Sequence, residues 1–93
     1  MNVIIRESAF ADLERMYAWI AHDSPRNAIS VVRRIDAAIE DKLAFFPYMG
    51  RRGRAPGTRE WVVHGLPYII VYRVDDELDE LTVLSIFHGA QDR

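Results

Sequence analysis

Residues 50–73 read GRRGRAPGTREWVVHGLPYIIVYR, and within this stretch the chain changes its patterning. Upstream, apolar residues recur at helical spacing. From Thr58 onward they come in short runs rich in β-branched and aromatic residues, the composition of strands. The glycines and proline of 50–57 mark the boundary. The same stretch holds Arg51, Arg52, Arg54, Arg59 and Arg73 against a single acid, Glu60, a formal charge of +4. The whole chain has 12 basic and 14 acidic residues and a net charge of −2, so the remainder stands at −6. A cationic site on an anionic body points to an anionic partner.

Downstream, the runs 58–63, 68–74 and 81–87 read as three strands. His64, Gly65, Leu66 and Pro67 form a tight turn between the first two, and the acidic segment 75–80 turns between the last two. Strict alternation in the middle strand sets Tyr68, Ile70, Tyr72 and Val74 on one face and Ile69, Val71 and Arg73 on the other. In the last strand it groups Thr82, Leu84, Ile86 and His88 against Leu81, Val83, Ser85 and Phe87.

Upstream, residues 2–6 are β-branched and short enough for a strand. Ser8 then offers an N-cap, and Phe10, Leu13, Met16, Tyr17 and Ile20 make one apolar face as far as His22. Ser24 followed by Pro25 restarts a helix, because the serine can cap it and proline suits its first position. Ile29, Val32, Ile35, Ile39, Leu43 and Phe46 extend that second stripe until Pro47 ends it. The order predicts an α+β fold, β-α-α-β-β-β, with a helical hairpin packed on a small antiparallel sheet of the last three strands.

At 93 residues with 49% hydrophobic content the chain has the size of one domain, residues 1–93, with little margin in surface-to-volume terms. It contains no cysteine, which excludes disulfides, thiolate metal sites and a thiol nucleophile. The apolar start gives way to Arg6 and Glu7, too soon for a secretory core or a membrane span, so a cytoplasmic protein is expected. His22, His64 and His88 show no ligand spacing, and no metal is expected. Arginine supplies every basic residue except Lys42; its planar fork suits carboxylates and phosphates and stays charged at any physiological pH.

Four pieces of the chain carry a family resemblance: FFPYMG closing the helical hairpin, the GRRGRAPGTRE segment, the PYIIVYRV strand and the terminal LSIFHGAQD. In that order and spacing the sequence resembles the ParE/RelE superfamily of bacterial type II toxin–antitoxin, or plasmid stabilisation, toxins. The resemblance implies a protein that arrests growth unless its cognate antitoxin binds it, with no cofactor and no metal. It leaves two activities open. RelE-like members are ribosome-dependent endoribonucleases acting on mRNA; their sites use several basic residues and often a tyrosine near the C-terminus. ParE-like members inhibit DNA gyrase and lack that set. This chain has no lysine near its basic segment and no tyrosine beyond Tyr72, and its HGAQDR ending resembles the ParE-like side.

A metal-independent endoribonuclease needs a base for the 2′-hydroxyl, a cation for the charged phosphorane and an acid for the leaving oxygen. Arg54, Arg59 and Arg73 are candidates for the cation, and His64 and His88 for proton transfer. The alternatives are a strand-end or turn role for the histidines, an ion pair with Glu60 or a C-terminal acid for Arg59 and Arg73, and simple solubility for Arg51, Arg52 and Arg54. For binding the target or the antitoxin the candidates are Arg51, Arg52, Arg54 and Arg59, with Trp19 and Trp61 as apolar anchors. Arg59 and Arg73, on adjacent strands, are expected to contribute to one cationic surface. Gly57 is expected to serve backbone geometry at the strand entry.

Overall fold

The computed structural model describes residues 1–90. Strand β1 (Asn2–Ile5) leads into helix α1 (Glu7–Asp23), which is followed by α2 (Pro25–Ala37), a π-helical turn (Ala38–Leu43) and a 3-10 turn (Pro47–Met49). Strands β2 (Arg51–Arg52), β3 (Arg59–Val62), β4 (Tyr68–Asp75) and β5 (Glu80–His88) complete the order. Among the described residues they form one sheet in the order β1-β5-β4-β3-β2. The α+β class and the helical hairpin are as the sequence predicts. The sheet is larger than the expected meander: β1 joins it parallel to β5, and the basic segment supplies a short fifth strand antiparallel to β3. Two arginines in succession carry no alternation signal, which is why β2 is invisible in the pattern.

The two helices start differently: α2 has a side-chain cap and α1 has none. The Ser24 side chain accepts from Asn27 N at 3.2 Å with Pro25 in the first turn, as expected. At α1 the structure corrects the sequence reading: the cap position is Arg6, and Ser8 lies inside the first turn. Its hydroxyl instead donates to Leu84 O at 2.7 Å.

That contact belongs to an irregularity in β5. The pairing with β4 shifts register between Val71 opposite Ser85 and Tyr72 opposite Val83, so Leu84 is an extra, bulged residue. The alternation expected for this strand therefore breaks: Leu81 and Val83 lie in the core, and so does Ile86, one step out of phase. β1 ends opposite Val83, and α1 takes over the exposed edge of β5 beyond it. Arg6 N donates to Val83 O at 3.0 Å, Ser8 caps the Leu84 carbonyl, and Asp12 accepts from Ile86 N at 2.9 Å. Asp12 is itself ion-paired with Arg15.

The core lies between the helices and one sheet face. Ile35, Ile39, Leu43, Ile70, Leu81 and Val83 are fully buried there, each contributing about 1.5–3 kcal/mol of hydrophobic stabilisation. On α1 the buried residues are Ala9, Leu13 and Met16, whereas Phe10 and Tyr17 flank the stripe and stay exposed. On the second helix Ala28 is buried and Ile29 is not. The π turn, in which Ala44 N bonds Ile39 O at 2.9 Å, adds a residue and rotates the stripe. Phe46 consequently leaves the core and is 65% exposed.

Candidate functional site

The basic segment is folded on itself by short-range chemistry. Gly57 has φ +76°, which lets the chain turn back so that Gly53 N reaches Thr58 O at 2.8 Å, and the Thr58 hydroxyl donates to Ala55 O at 2.6 Å. Under this turn sits Glu60, only 7% exposed. Its carboxylate accepts from Arg54 N at 3.2 Å and from Arg51 Nη2 at 3.4 Å. Arg51 is thus an ion-pair partner of Glu60, where the sequence reading considered Arg59 and Arg73.

Register then decides which arginines share a face. Arg59 pairs with Tyr72, and Arg52 with Arg59, so all three point to the helix side of the sheet. Arg73 follows Tyr72 in the strand and points the opposite way, with Val71 and Ile69. The expected common surface of Arg59 and Arg73 is therefore not formed. Arg73 is exposed, while Arg59 is half-buried and engaged: its Nη1 donates to Gly50 O at 2.8 Å and Tyr48 O at 3.4 Å, and its guanidinium lies 4.7 Å over the Tyr48 ring.

Two tyrosines missing from the sequence-derived candidates complete this anchor. Tyr72 is fully buried; its hydroxyl donates to Pro47 O at 2.6 Å and accepts from Gly50 N at 2.9 Å. The approach at Gly50 leaves no room for a side chain, since a Cβ would lie 2.9 Å from both Tyr72 Cε1 and Glu60 O. The Tyr48 hydroxyl donates to Asp76 Oδ2 in the acidic turn. That hydrogen bond first, and partial burial second, raise the Tyr48 pKa; burial raises that of Tyr72, against the Gly50 hydrogen bond and the Arg59 charge. Both phenols remain neutral donors at physiological pH. A tyrosine in the middle of the apolar run 68–74 was the available signal, because a buried hydroxyl requires a partner.

The histidines stand apart from this cluster. His64 is exposed in the expected turn with Gly65 at φ +75°, and its carbonyl accepts from Arg34 Nη2 at 2.7 Å. His88 pairs with Tyr68 across the strands, rings 5.5 Å apart and edge-on, and its Nδ1 accepts from Ala90 N at 3.0 Å. The remaining residues of the HGAQDR ending, 91–93, and with them the C-terminal acid, lie outside the described residues. Of the tryptophans, Trp61 packs partly buried against the core, and Trp19 is 80% exposed on α1 in a shallow groove with Arg15, Ala18, His22 and Asp23.

Two clefts border the arginines. One, of about 380 Å³, lies on the sheet face away from the helices and is lined by Arg51, Arg54, Glu60, Ile69 and Phe87, with Arg52, on the edge strand, bordering it as well as the second cleft. The other, of about 430 Å³, lies on the helix side between Tyr48, Arg52, Arg59, Val74 and the turn at Gly57. Among the described residues no three His, Asp or Glu side chains are placed to hold a metal ion. The arrangement offers hydrogen-bond donors and fixed positive charge.

Comparison with known proteins bears on the family and the fold. A family model described as the ParE toxin of the type II toxin–antitoxin system parDE matches residues 3–93. The "Putative toxin Y4kP" of Sinorhizobium fredii is 43% identical over 76 residues, 82% of this chain and 78% of that protein. Among solved structures, the chromosomal ParDE system of P. aeruginosa superposes with a TM-score of 0.80 at 23% identity, covering 95% of both chains. The RelBE2 toxin–antitoxin complex of Mycobacterium tuberculosis does so with 0.63 at 27% identity, covering 94% of this chain and 95% of that one. A match spanning nearly the whole sequence, on a fold that these solved structures share, means that the chain belongs to the ParE toxin family of type II toxin–antitoxin systems.

Proposed function

We propose that this toxin arrests growth by binding, through inhibition of DNA gyrase, and that a cognate antitoxin holds it inactive. The observation that carries the reading is the dispersal of the groups a metal-free nuclease would need. Arg59 is committed to the Tyr48–Gly50 backbone on the helix side, whereas Arg73 points to the other face and Arg54 borders the cleft there. His64 occupies a remote turn, and the His88 ring nitrogen accepts from its own tail. Proton transfer and charge stabilisation require such groups within hydrogen-bond reach of one reacting atom.

Membership of the ParE family supports the gyrase target, and the similar solved structures, a ParDE system and a RelBE2 toxin–antitoxin complex, support an antitoxin partner. The reading treats residues 1–93 as one toxin domain. It assigns partner contact to Arg51, Arg52, Arg54 and the exposed Trp19, gives Arg59 a share in that contact beside its anchoring of Tyr48 and Gly50, and leaves Trp61 a supporting role. No described helix is long and apolar enough to cross a membrane; a gyrase inhibitor works in the cytoplasm, where its target is. Plasmid stabilisation follows if the pair is plasmid-borne, because loss of the plasmid ends antitoxin supply.

The competing activity is ribosome-dependent mRNA cleavage, to which the similarity with RelBE2 also leads. Inducing the chain in cells while recording both plasmid supercoiling and mRNA 5′ ends separates the two. Gyrase inhibition gives relaxed plasmid and a DNA-damage response with no new ends. Cuts in register with codons, with supercoiling intact, would replace this reading by the nuclease.

A further inference from the structure

The helix-side cleft has an electrostatic feature that the fold does not need. Arg52 and Arg59 are direct partners across the β2–β3 ladder, and like charges so placed repel. The repulsion is not relieved internally. Among the described residues neither guanidinium is ion-paired; Arg59 donates only to carbonyls, and the acids that ion-pair with an arginine are Asp12 and Glu60. Arg59 is held in position by Tyr48 and by two backbone carbonyls, while Arg52 beside it is exposed. A fixed guanidinium next to a free one, in a cleft of about 430 Å³ with an aromatic wall, is preorganised to grip an anion.

The surroundings select the anion. The acidic turn, Asp75, Asp76, Glu77, Asp79 and Glu80, adjoins the cleft through Val74 and the Tyr48–Asp76 hydrogen bond. A nucleic-acid strand carries a charge on every residue and would meet those five acids on leaving the cleft. A polypeptide can present one or two carboxylates to the arginines and neutral or basic residues to the acidic turn. We propose that the Arg52–Arg59 cleft is a carboxylate-binding subsite for an acidic segment of a protein partner. The inference rests on the reading that the toxin works by binding protein.

The test uses the chain with its arginine Nε–H groups followed by NMR, titrated with a hexapeptide blocked at both ends, two glutamates followed by two serines and two lysines, and with heptathymidylate. The peptide is expected to move the Arg52 and Arg59 signals first and to bind more tightly than the oligonucleotide. Arg52→Glu is expected to weaken the peptide by at least about tenfold, the loss of one charge-assisted contact, and to raise the melting temperature by turning repulsion into attraction. Arg33→Glu, the same charge change on an exposed α2 position, is expected to have a smaller effect on binding. Equal weakening by both variants, or uniform shifts over all arginines, would overturn the subsite and leave the protein-binding reading intact. Tighter binding of heptathymidylate at Arg52 and Arg59 would overturn both.

Discussion

Tyr72→Phe tests the anchor that shapes the arginine edge. The substitution keeps the ring and its packing, so no cavity forms, and removes only a hydroxyl that bridges Pro47 O at 2.6 Å and Gly50 N at 2.9 Å. Gly50 is buried, so its N–H is left without a partner at about 2–3 kcal/mol; the half-buried Pro47 carbonyl can be reached by water and costs about 1 kcal/mol or less. The expected destabilisation is about 2–4 kcal/mol, a large share of the roughly 5–15 kcal/mol available to a small domain. Arg59 still holds Gly50 O and Tyr48 O, so the segment loosens without detaching and the variant folds. Urea unfolding followed by tryptophan fluorescence reads the change as a lower midpoint at unchanged slope. A loss below about 0.5 kcal/mol, within the range of ordinary surface substitutions, would show that the hydroxyl does not organise this edge.

Three further outcomes follow from the same contacts. Asp12→Ala strips the acceptor from Ile86 N and should cost about 1–3 kcal/mol; combined with Ser8→Ala it should be non-additive, since both side chains serve one bulge, and a double-mutant cycle checks this. Arg59→Ala should lower stability by about 1–3 kcal/mol through its carbonyl and ring contacts, whereas Arg73→Ala, exposed, should stay within about 0.5 kcal/mol, as thermal unfolding of the pair will show. The raised pKa of Tyr72, with that of Tyr48, means that the folded state keeps its phenolic protons when the unfolded chain begins to lose them, near the ordinary value of 10.0. Stability should therefore hold up to that pH and fall above it, and the fall should be shallower in Tyr72→Phe when melting temperature is followed against pH.

What the sequence revealed and what it hid divide along physical lines. The Ser24–Pro25 start, the His64–Pro67 turn and the three final strands depend on local chemistry and were legible. The parallel partner of β1 and the bulge at Leu84 depend on contacts more than seventy residues apart, Ser8 with Leu84 and Asp12 with Ile86, which no local pattern encodes. Ser8 looked like a cap because caps and bulge partners use the same hydroxyl. At the site, charge located the right segment, yet only register separates Arg59, which holds the backbone beneath the cleft, from Arg73 on the opposite face. Tyr48 and Tyr72 were missed because an aromatic in an apolar run reads first as core, and the hydroxyl's partners, Pro47, Gly50 and Asp76, come from other elements.

The most direct test of action by binding is a purified one: gyrase, relaxed plasmid and ATP with increasing amounts of the chain, alongside translating ribosomes with a labelled mRNA. Dose-dependent loss of supercoiling with the mRNA intact is the expected result. Unimpaired supercoiling together with mRNA cut on the ribosome would contradict it.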